Sequence, residues 1–396
     1  MAFTLPRSCD AKYRSTRKPF IIQLKPMDRA HLIEVPLGIS ETQPNFCKIR
    51  ALFGSLPKKA YLYTNLKCQW MEITVIIPVY NRAAIVGATL DSVLAQTHRP
   101  LQVVLVDNDS TDGSLQVLEQ FKQAHQNDDF NIVVTSERHH TAGAARNRGL
   151  EQATGEWVLF FDSDDLMEKE LVASYVKVIE RARDEGRSLD LISAKSTLVF
   201  PDGSKRQAPF HRRDLFANHI LHGQLATQRY AVRREFFAAT DLWNIDLPRW
   251  NDWEVGLRLL LANPHVAYMG GRSHIIINHN GADSITGTEF HSRHGEWEYV
   301  IDIMKNEVRC SQLKRRHKIR FERLLEYRRM VLAAQYQRES HPELAKPLCQ
   351  QAYTALRDSY GDNRRWRWLA GPVTKRLFAR IAAGKRGSAR IARLLY

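Results

Sequence analysis

Four short apolar runs, each closed by polar or acidic residues, dominate the middle of this 396-residue chain: ITVIIPVY from residue 73, LQVVLVD from 101, NIVVTSE from 131 and EWVLFFDSDD from 156. Helical patterns fill the gaps. AAIVGATLDSVLAQT spaces Ile85, Leu90, Val93 and Leu94 along one side, SLQVLEQFKQAH does the same with Leu115, Leu118 and Phe121, and GAARNRGLEQA follows the third run. Strands that are apolar throughout must be covered on both faces, and helical links between them make them parallel. The expected fold is therefore α/β, a mostly parallel sheet flanked by helices. In such sheets ligands bind beyond the C-terminal ends of the strands. Three of the four ends here carry loops rich in Asp, Asn or Arg.

On either side of this block the text changes. Residues 1–70 hold Pro, Lys and short apolar pieces without a sustained period, and Met71 stands two residues before the first strong strand. Residues 1–70 read as an N-terminal extension, poorly structured or a mis-assigned start. Residues 71–285 read as the catalytic domain, with DLISAKSTLVF as one further strand closed by Pro201-Asp202-Gly203. Residues 286–396 read as a helical C-terminal region, including a helix hairpin broken at His341-Pro342. Five cysteines lie singly, with no C-x-x-C pair, so neither a zinc site nor a disulfide framework is expected and a reducing compartment is implied. No apolar run reaches the length of a membrane span. The expected placement is cytoplasmic, peripheral on the inner membrane face.

The acids at the strand ends carry the chemistry. Asp162-Ser163-Asp164-Asp165 packs three carboxylates into four residues. Such a group is costly without a cation, and a hard divalent ion takes oxygen ligands while leaving positions for a diphosphate. The plainer reading is a solvated acidic turn capping the next helix. A second D-x-D, Asp107-Asn108-Asp109, suits hydrogen bonding to a base or ribose at Asp107 and helix capping at Asp112, or capping throughout.

VIIPVYNR, VVLVDNDSTDGS, GAARNRGLEQATGEWVLFFDSDD and WNDWEVGLRL, in this order and spacing, resemble the inverting glycosyltransferases of family 2. The resemblance covers about residues 71–260 and implies the A-type glycosyltransferase fold. It implies a nucleoside diphosphate sugar as donor, uridine-linked, and a saccharide or lipid-linked acceptor in surface polysaccharide or glycolipid synthesis. Pro78 and Tyr80 would line the base pocket, with Tyr80 stacking on the ring, and Asn81 would shape the same loop. Asp107 would accept a hydrogen bond from the base. Arg146 and Asn147 would lie near the nucleotide or its phosphates. Asp162 would face the ribose and sugar beside Ser163, and Asp164 would bind Mn²⁺ or Mg²⁺, with Asp162 and His279 as further ligands.

Family members commonly place Glu-Asp ahead of a Trp, where this chain has Asn251-Asp252-Trp253-Glu254. Asp252 is the expected catalytic base and Glu254 the alternative, since an inverting transfer needs one carboxylate to take the acceptor proton. The changed neighbour keeps a second possibility open, a sugar-nucleotide-binding protein without turnover. As a bare pattern, NDWE only starts an amphipathic helix with Leu257, Leu260 and Leu261 facing the core.

Charge matters last. The chain carries 58 Lys+Arg against 43 Asp+Glu, a formal +15, which points to an anionic partner. The basic tail from Arg364 interleaves Trp366, Trp368, Val373, Leu377, Phe378 and Ile381 with cations and contains no acid, the pattern of an interfacial helix on an anionic membrane. Packing of the same helix on the catalytic domain is the alternative. Nucleic acid would explain the charge but leave the acidic strand ends without purpose.

Overall fold

The structure, a computed structural model, describes residues 20–24, 31–35, 72–278, 289–361, 363–385 and 387–396. The chain divides into two compact units, Met1–Trp70 and Met71–Tyr396. In the first, β1 (Phe20–Leu24) and β2 (His31–Val35) pair antiparallel, with Phe20 opposite Val35 and Leu24 opposite His31. The rest of the expected extension lies outside the described residues.

The second unit is built on a seven-stranded sheet. Its first half alternates strand and helix: β3 (Ile73–Val79), α1 (Val86–Leu94), β4 (Leu101–Asp107), α2 (Ser114–His125), β5 (Phe130–Ser136), α3 (Ala142–Glu151) and β6 (Trp157–Phe160). β3 pairs parallel with β4 and with β6, and β4 pairs parallel with β5. Side-chain alternation divides these strands between two cores. Ile73, Val75, Ile77 and Val79 join Val86, Leu90, Val93, Leu118 and Phe121 on one face. Ile76, Val104, Val106, Val158 and Phe160 join Ala145 and Leu150 of α3 on the other. A Cβ on Gly149 would lie 2.3 Å from Ile76 Cγ2, so glycine is what lets α3 settle onto the sheet.

The chain then runs through β7 (Leu166–Met167), α4 (Leu171–Asp184), β8 (Leu191–Ser193), β9 (Ser196–Val199), β10 (Lys205–Gln207), α5 (Leu215–His222), β11 (Tyr230–Arg233), α6 (Arg234–Ala238), α7 (Asn251–Leu261), β12 (Val266–Tyr268) and β13 (Ile275–Asn278). The large sheet has the order β12-β8-β11-β6-β3-β4-β5, and a small one has the order β10-β9-β13-β7. β11 runs antiparallel to both its neighbours, so the sheet is mostly parallel, as expected. DLISAKSTLVF is not one strand. Its first half is β8 in the large sheet and its second half β9 in the small one. The break falls at Ala194-Lys195, where Ala194 N donates to Arg229 O and Lys195 Nζ donates to Gly271 O, fixing the chain as it crosses between sheets.

Beyond residue 289 the chain is helical: α8 (Glu296–Cys310), α9 (Arg315–Arg338), α10 (Pro342–Asp358), α11 (Arg364–Ala382) and α12 (Ser388–Leu395). The hairpin α9–α10 turns where expected, with Pro342 as the first residue of α10, a position that needs no amide donor. These helices share one core with Ala217, Ile220 and Leu221 of α5 and with Trp253 and Leu257 of α7, so they belong to the same compact unit as the sheet. Leu377 and Ile381, which the interfacial reading turns toward a bilayer, are buried in that core, with Phe378 packed against it. Trp368, 75% exposed, and Leu394, 80% exposed, do face solvent. The side chain of Trp366 lies outside the described residues. Among the described residues no helix is long and apolar enough to cross a membrane.

Candidate functional site

Strand order reverses between β3 and β6: from β3 the chain adds β4 and β5 on one side, then returns to place β6 on the other. The crevice beyond the C-terminal ends of β3 and β6 is therefore the position where such sheets bind ligands. Both ends carry polar groups. Arg82 Nη2 of the β3 loop lies 3.8 Å from Asp164 Oδ2 of the β6 loop, directly across the crevice.

The β3 loop is held open by hydrogen bonds to its neighbour. Asn81 adopts φ +50°, and its Oδ1 accepts from Thr111 N (2.8 Å), while its own N donates to Ser110 Oγ (3.1 Å). Arg82 N donates to Ser114 Oγ (2.8 Å) and Ala83 N to Asp112 Oδ2 (2.9 Å). Asp112 thus ties two loops together as well as bonding the first residue of α2. Pro78 sits half-buried before the loop, and Tyr80 is 53% exposed, its ring edge-on to His140 at 6.0 Å. Next to them, at the end of β4, Asp107 is buried. One carboxylate oxygen accepts from Ser110 N (3.2 Å), and Oδ1 has no partner. A buried acceptor left without a donor is costly, so Oδ1 is where an incoming N–H would be most rewarded. His140 Nε2 lies 3.2 Å from Asp109 Oδ2 on the rim.

At the end of β6 the three carboxylates have different partners. Asp162 accepts from Arg146 Nη2 (2.6 Å) on one oxygen and from Gln228 Nε2 (2.6 Å) on the other. Ser163 is buried in the turn. Asp165 is fully engaged: it accepts from Asn278 N (2.8 Å) and from Gln228 Nε2, and burial beside the other two acids holds its carboxyl well above the ordinary range. Its role is to fasten the turn to β13. Asp164 is the one left facing the crevice, with Arg82 as its nearest cation. Burial, then Asp162, pushes its carboxyl upward, and Arg82 offsets part of that. Among the described residues no group of three or more His, Cys, Asp or Glu is arranged to hold a metal. His279, expected as a ligand, lies outside the described residues.

Arg146, on α3, is buried with its guanidinium 4.5 Å from the Trp243 ring, and its Nε and Nη1 have no partner. Asn147 does not reach the crevice as a free group. Its amide bonds the Trp243 backbone twice, donating to O (2.9 Å) and accepting from N (3.0 Å). It holds the indole on which Arg146 rests, so its link to the site is through Trp243.

Asp252 is the second residue of α7, with its carboxylate near Arg146 and Asp162. Burial is the main cause that raises its pKa, and Asp162 adds to it; Arg146 acts in the other direction. The turn that carries it is pinned from below. His219 Nε2 donates to Trp253 O (2.7 Å), His219 Nδ1 accepts from Leu225 N (3.1 Å), and Trp253 Nε1 donates to His219 O (2.9 Å). Both ring nitrogens are committed, so this histidine is neutral, and burial lowers its pKa to about 4. Glu254, the alternative base, is buried and ion-paired with Arg258, which also donates to the carbonyls of Thr240 and Leu242. It faces Glu307 of α8, whose carboxyl burial and Glu254 push up to about 9. That arrangement removes Glu254 from the crevice and makes it a tie between α7 and α8.

Gln228, Trp243, Arg82 and Asn278 are site residues that the sequence reading missed. Each is a single residue with no spacing to announce it, and only the fold brings it to the carboxylates.

Comparison with known proteins bears on the family and the fold. The Glycosyl transferase family 2 profile matches residues 74–232. An uncharacterised glycosyltransferase of Nostoc sp. is 30% identical over 234 residues, 55% of this chain and 70% of that protein. The putative teichuronic acid biosynthesis glycosyltransferase TuaG of Bacillus subtilis is 34% identical over 147 residues, 34% of this chain and 57% of TuaG. Among solved structures, S. aureus TarS 1-349 in complex with UDP-GlcNAc superposes with a TM-score of 0.60 at 20% identity, covering 82% of this chain and 91% of that one. The chain belongs to glycosyl transferase family 2: it is a glycosyltransferase with the A-type fold and a helical C-terminal region.

Proposed function

We propose that the chain transfers a sugar from a uridine diphosphate sugar to an acceptor hydroxyl with inversion, in the synthesis of a cell-surface polysaccharide or glycolipid. The observation that carries this reading is the convergence, at the switch point of the sheet, of an orphaned buried acceptor, a buried arginine with two free donors and a lone crevice-facing carboxylate. Asp107 Oδ1 would accept from the base N–H, and the exposed face of Tyr80 would stack on the base, a contact of about 1 kcal/mol. Pro78 and Asn81 set the wall and the loop. Arg146 Nε and Nη1 would donate to oxygens of the donor.

A divalent cation would be held first at Asp164, whose carboxylate is destabilised by burial and by Asp162 and has Arg82, at 3.8 Å, as its counter-charge among the described residues. Asp162 fits less directly, because Arg146 and Gln228 already occupy both its oxygens. Mn²⁺ or Mg²⁺ held there would neutralise charge on the departing diphosphate. Asp252 accepts the proton of the acceptor hydroxyl. The acceptor oxygen bonds to the anomeric carbon as the carbon–oxygen bond to the diphosphate breaks on the opposite face. Asp162 is held on both oxygens by Arg146 and Gln228, so Asp252 in the role of base supports a single inverting displacement. Cytoplasmic placement against an anionic leaflet would rest on the exposed Trp368 and Leu394 with neighbouring cations.

The test is calorimetric titration of UDP with and without Mn²⁺, on the wild type and on Asp164→Ala. Metal-dependent binding lost in Asp164→Ala supports the donor site. No binding of UDP under either condition overturns the uridine assignment. Binding without any transfer to saccharide acceptors would favour the non-catalytic alternative.

A further inference from the structure

A second charged cluster lies on the other side of the short turn Thr227–Arg229. Gln228 of that turn faces the carboxylates, whereas buried Arg229 donates the opposite way, to Pro209 O (2.7 Å) and Gly223 O (3.3 Å). Those two carbonyls belong to the segments that carry His211 and His222. The segments are stitched together by Gln224, which accepts from His211 N (3.0 Å) and donates to His211 O (2.8 Å). The two imidazoles consequently lie 5.8 Å apart.

Three arginines complete the group from other elements. Arg328 of α9 places its guanidinium 5.0 Å from the Trp253 ring and 5.7 Å from the Trp250 ring. Arg393 of α12 donates to Arg213 O (3.1 Å). Arg229 is the third. Burial first, and then Arg328, His211, Arg229 and Arg393, lower the pKa of His222 to about 4, so the imidazole is neutral and the standing charge of the group is that of its arginines. Asp214 is the carboxylate that reaches the group. Arg320 already holds it at 2.5 Å, with Arg393 at 3.8 Å. Nε of Arg229, which is nine-tenths or more buried, has no partner, and neither does Nε of Arg328.

Like charges gathered at a half-buried place oppose folding unless something of the opposite sign completes them. Here Arg320 and Arg393 share the one charge of Asp214, and the buried Nε donors of Arg229 and Arg328 stay free. The position of the group is informative. Trp250 is the residue before α7 and Asp252 is the second residue within it, so the cluster flanks the turn that bears the base. The donor crevice lies beyond Gln228, so this cluster is not where the diphosphate sits.

We infer that His211, His222, Arg229, Arg328 and Arg393 form a binding site for an anionic group, phosphate or carboxylate, on the sugar acceptor. The inference rests on the glycosyl-transfer reading, since it names the acceptor class for the same reaction. An acceptor polymer with an acidic group on its repeating unit would be anchored here while a hydroxyl beside that group reached Asp252. The formal charge of +15 then has a local use.

The test uses the full chain at low salt with UDP and Mn²⁺ saturating, so that the donor crevice is filled. Inorganic phosphate, sn-glycerol 3-phosphate, glucuronate and neutral glucose are titrated by calorimetry. Phosphate esters or glucuronate should bind and glucose should not, and the arm that binds more tightly distinguishes the two anions. Arg328→Gln and Arg393→Gln should each weaken that binding about tenfold, as loss of a charge-assisted hydrogen bond does, and leave UDP affinity unchanged. Circular dichroism checks that both variants fold. Equal binding by wild type and both variants overturns the inference, as does binding to vesicles of anionic phospholipid but to none of the soluble anions. Failure of UDP to bind in the same cell overturns the donor assignment instead, because the anion titration can be repeated without nucleotide.

Discussion

Gly256→Ala tests whether α7 is set by its contact with His219. An ideal Cβ at this position would lie 2.4 Å from His219 Cε1, 2.5 Å from Nε2 and 3.1 Å from Leu225 Cβ. The ring cannot simply swing away, because its nitrogens are bonded to Trp253 O and Leu225 N inside the core. Displacing it leaves at least one buried polar group unsatisfied, at about 1–3 kcal/mol. Overpacking adds about 1–3 kcal/mol, and the helix preference for alanine over glycine returns about 1 kcal/mol. The expected net loss is about 3 kcal/mol. Urea unfolding followed by far-UV circular dichroism measures it, with Gly87→Ala as control. Gly87 is exposed in α1 with nothing within 4 Å of its ideal Cβ, so there only the helix preference should show, as a small gain in stability. Because Asp252 stands on the first turn of the same helix, turnover should fall in Gly256→Ala while UDP affinity holds. A Gly256→Ala protein as stable as the wild type would show that the His219 clamp does not constrain α7, and the account of how Asp252 is positioned would fail with it.

Three further outcomes follow from the site and its supports. Asp252→Asn should lower kcat by about 10²–10⁴-fold, the usual worth of a general base, with donor affinity unchanged in equilibrium titration; in the wild type, the raised pKa of Asp252 places the acid limb of the pH–rate profile above the ordinary carboxylate range. His219 is neutral in the fold, with its pKa lowered to about 4, and takes up a proton near 6.5 when unfolded. Unfolding therefore binds a proton between those values, and stability should fall by about 3 kcal/mol as pH drops through that window, a dependence that His219→Asn should reduce in urea melts. Leu377→Ala should cost about 2–5 kcal/mol in urea unfolding, as truncation of a core leucine does, whereas a leucine reserved for lipid would lose nothing in the same assay.

The parallel half of the sheet was legible because its strands are buried on both faces and so stay apolar along their length, as in LQVVLVD. The acidic strand ends were legible for the same reason, since charges directly after such strands must emerge where the ligand crevice is. DLISAKSTLVF misled because its apolar character continues through a change of sheet, and the hydrogen bonds that force the break come from Arg229 and Gly271, far along the chain. Gln228 and Trp243 were invisible in a similar way, since their meaning depends on being carried to Asp162 and Arg146 by the turn before β11 and by the pair of hydrogen bonds to Asn147. The tail showed its composition but not its neighbour: the apolar stripe suited a bilayer and a helical core equally, and α9 and α10 supply the core.

α7 shows why the helical region matters to the chemistry. Read alone, NDWEVGLRLLL is an amphipathic helix with one apolar side. In the fold Val255, Leu259 and Leu260 enter the core beneath the sheet, while Trp253 and Leu257 enter the core of the helical region. A helix apolar on nearly every side belongs between two layers, and its few polar residues are accounted for one by one. Glu254 and Arg258 pair with each other and meet Glu307 of α8, so the remaining acid, Asp252, is the one left to face Arg146 and Asp162. The helical region is thus the second wall of the clamp that fixes Asp252. A change in α8 that loosened Glu307, or Trp297 whose ring packs 4.7 Å from that of Trp250 just before α7, would be expected to act on turnover through α7, at a distance from the donor, before it acted on nucleotide binding.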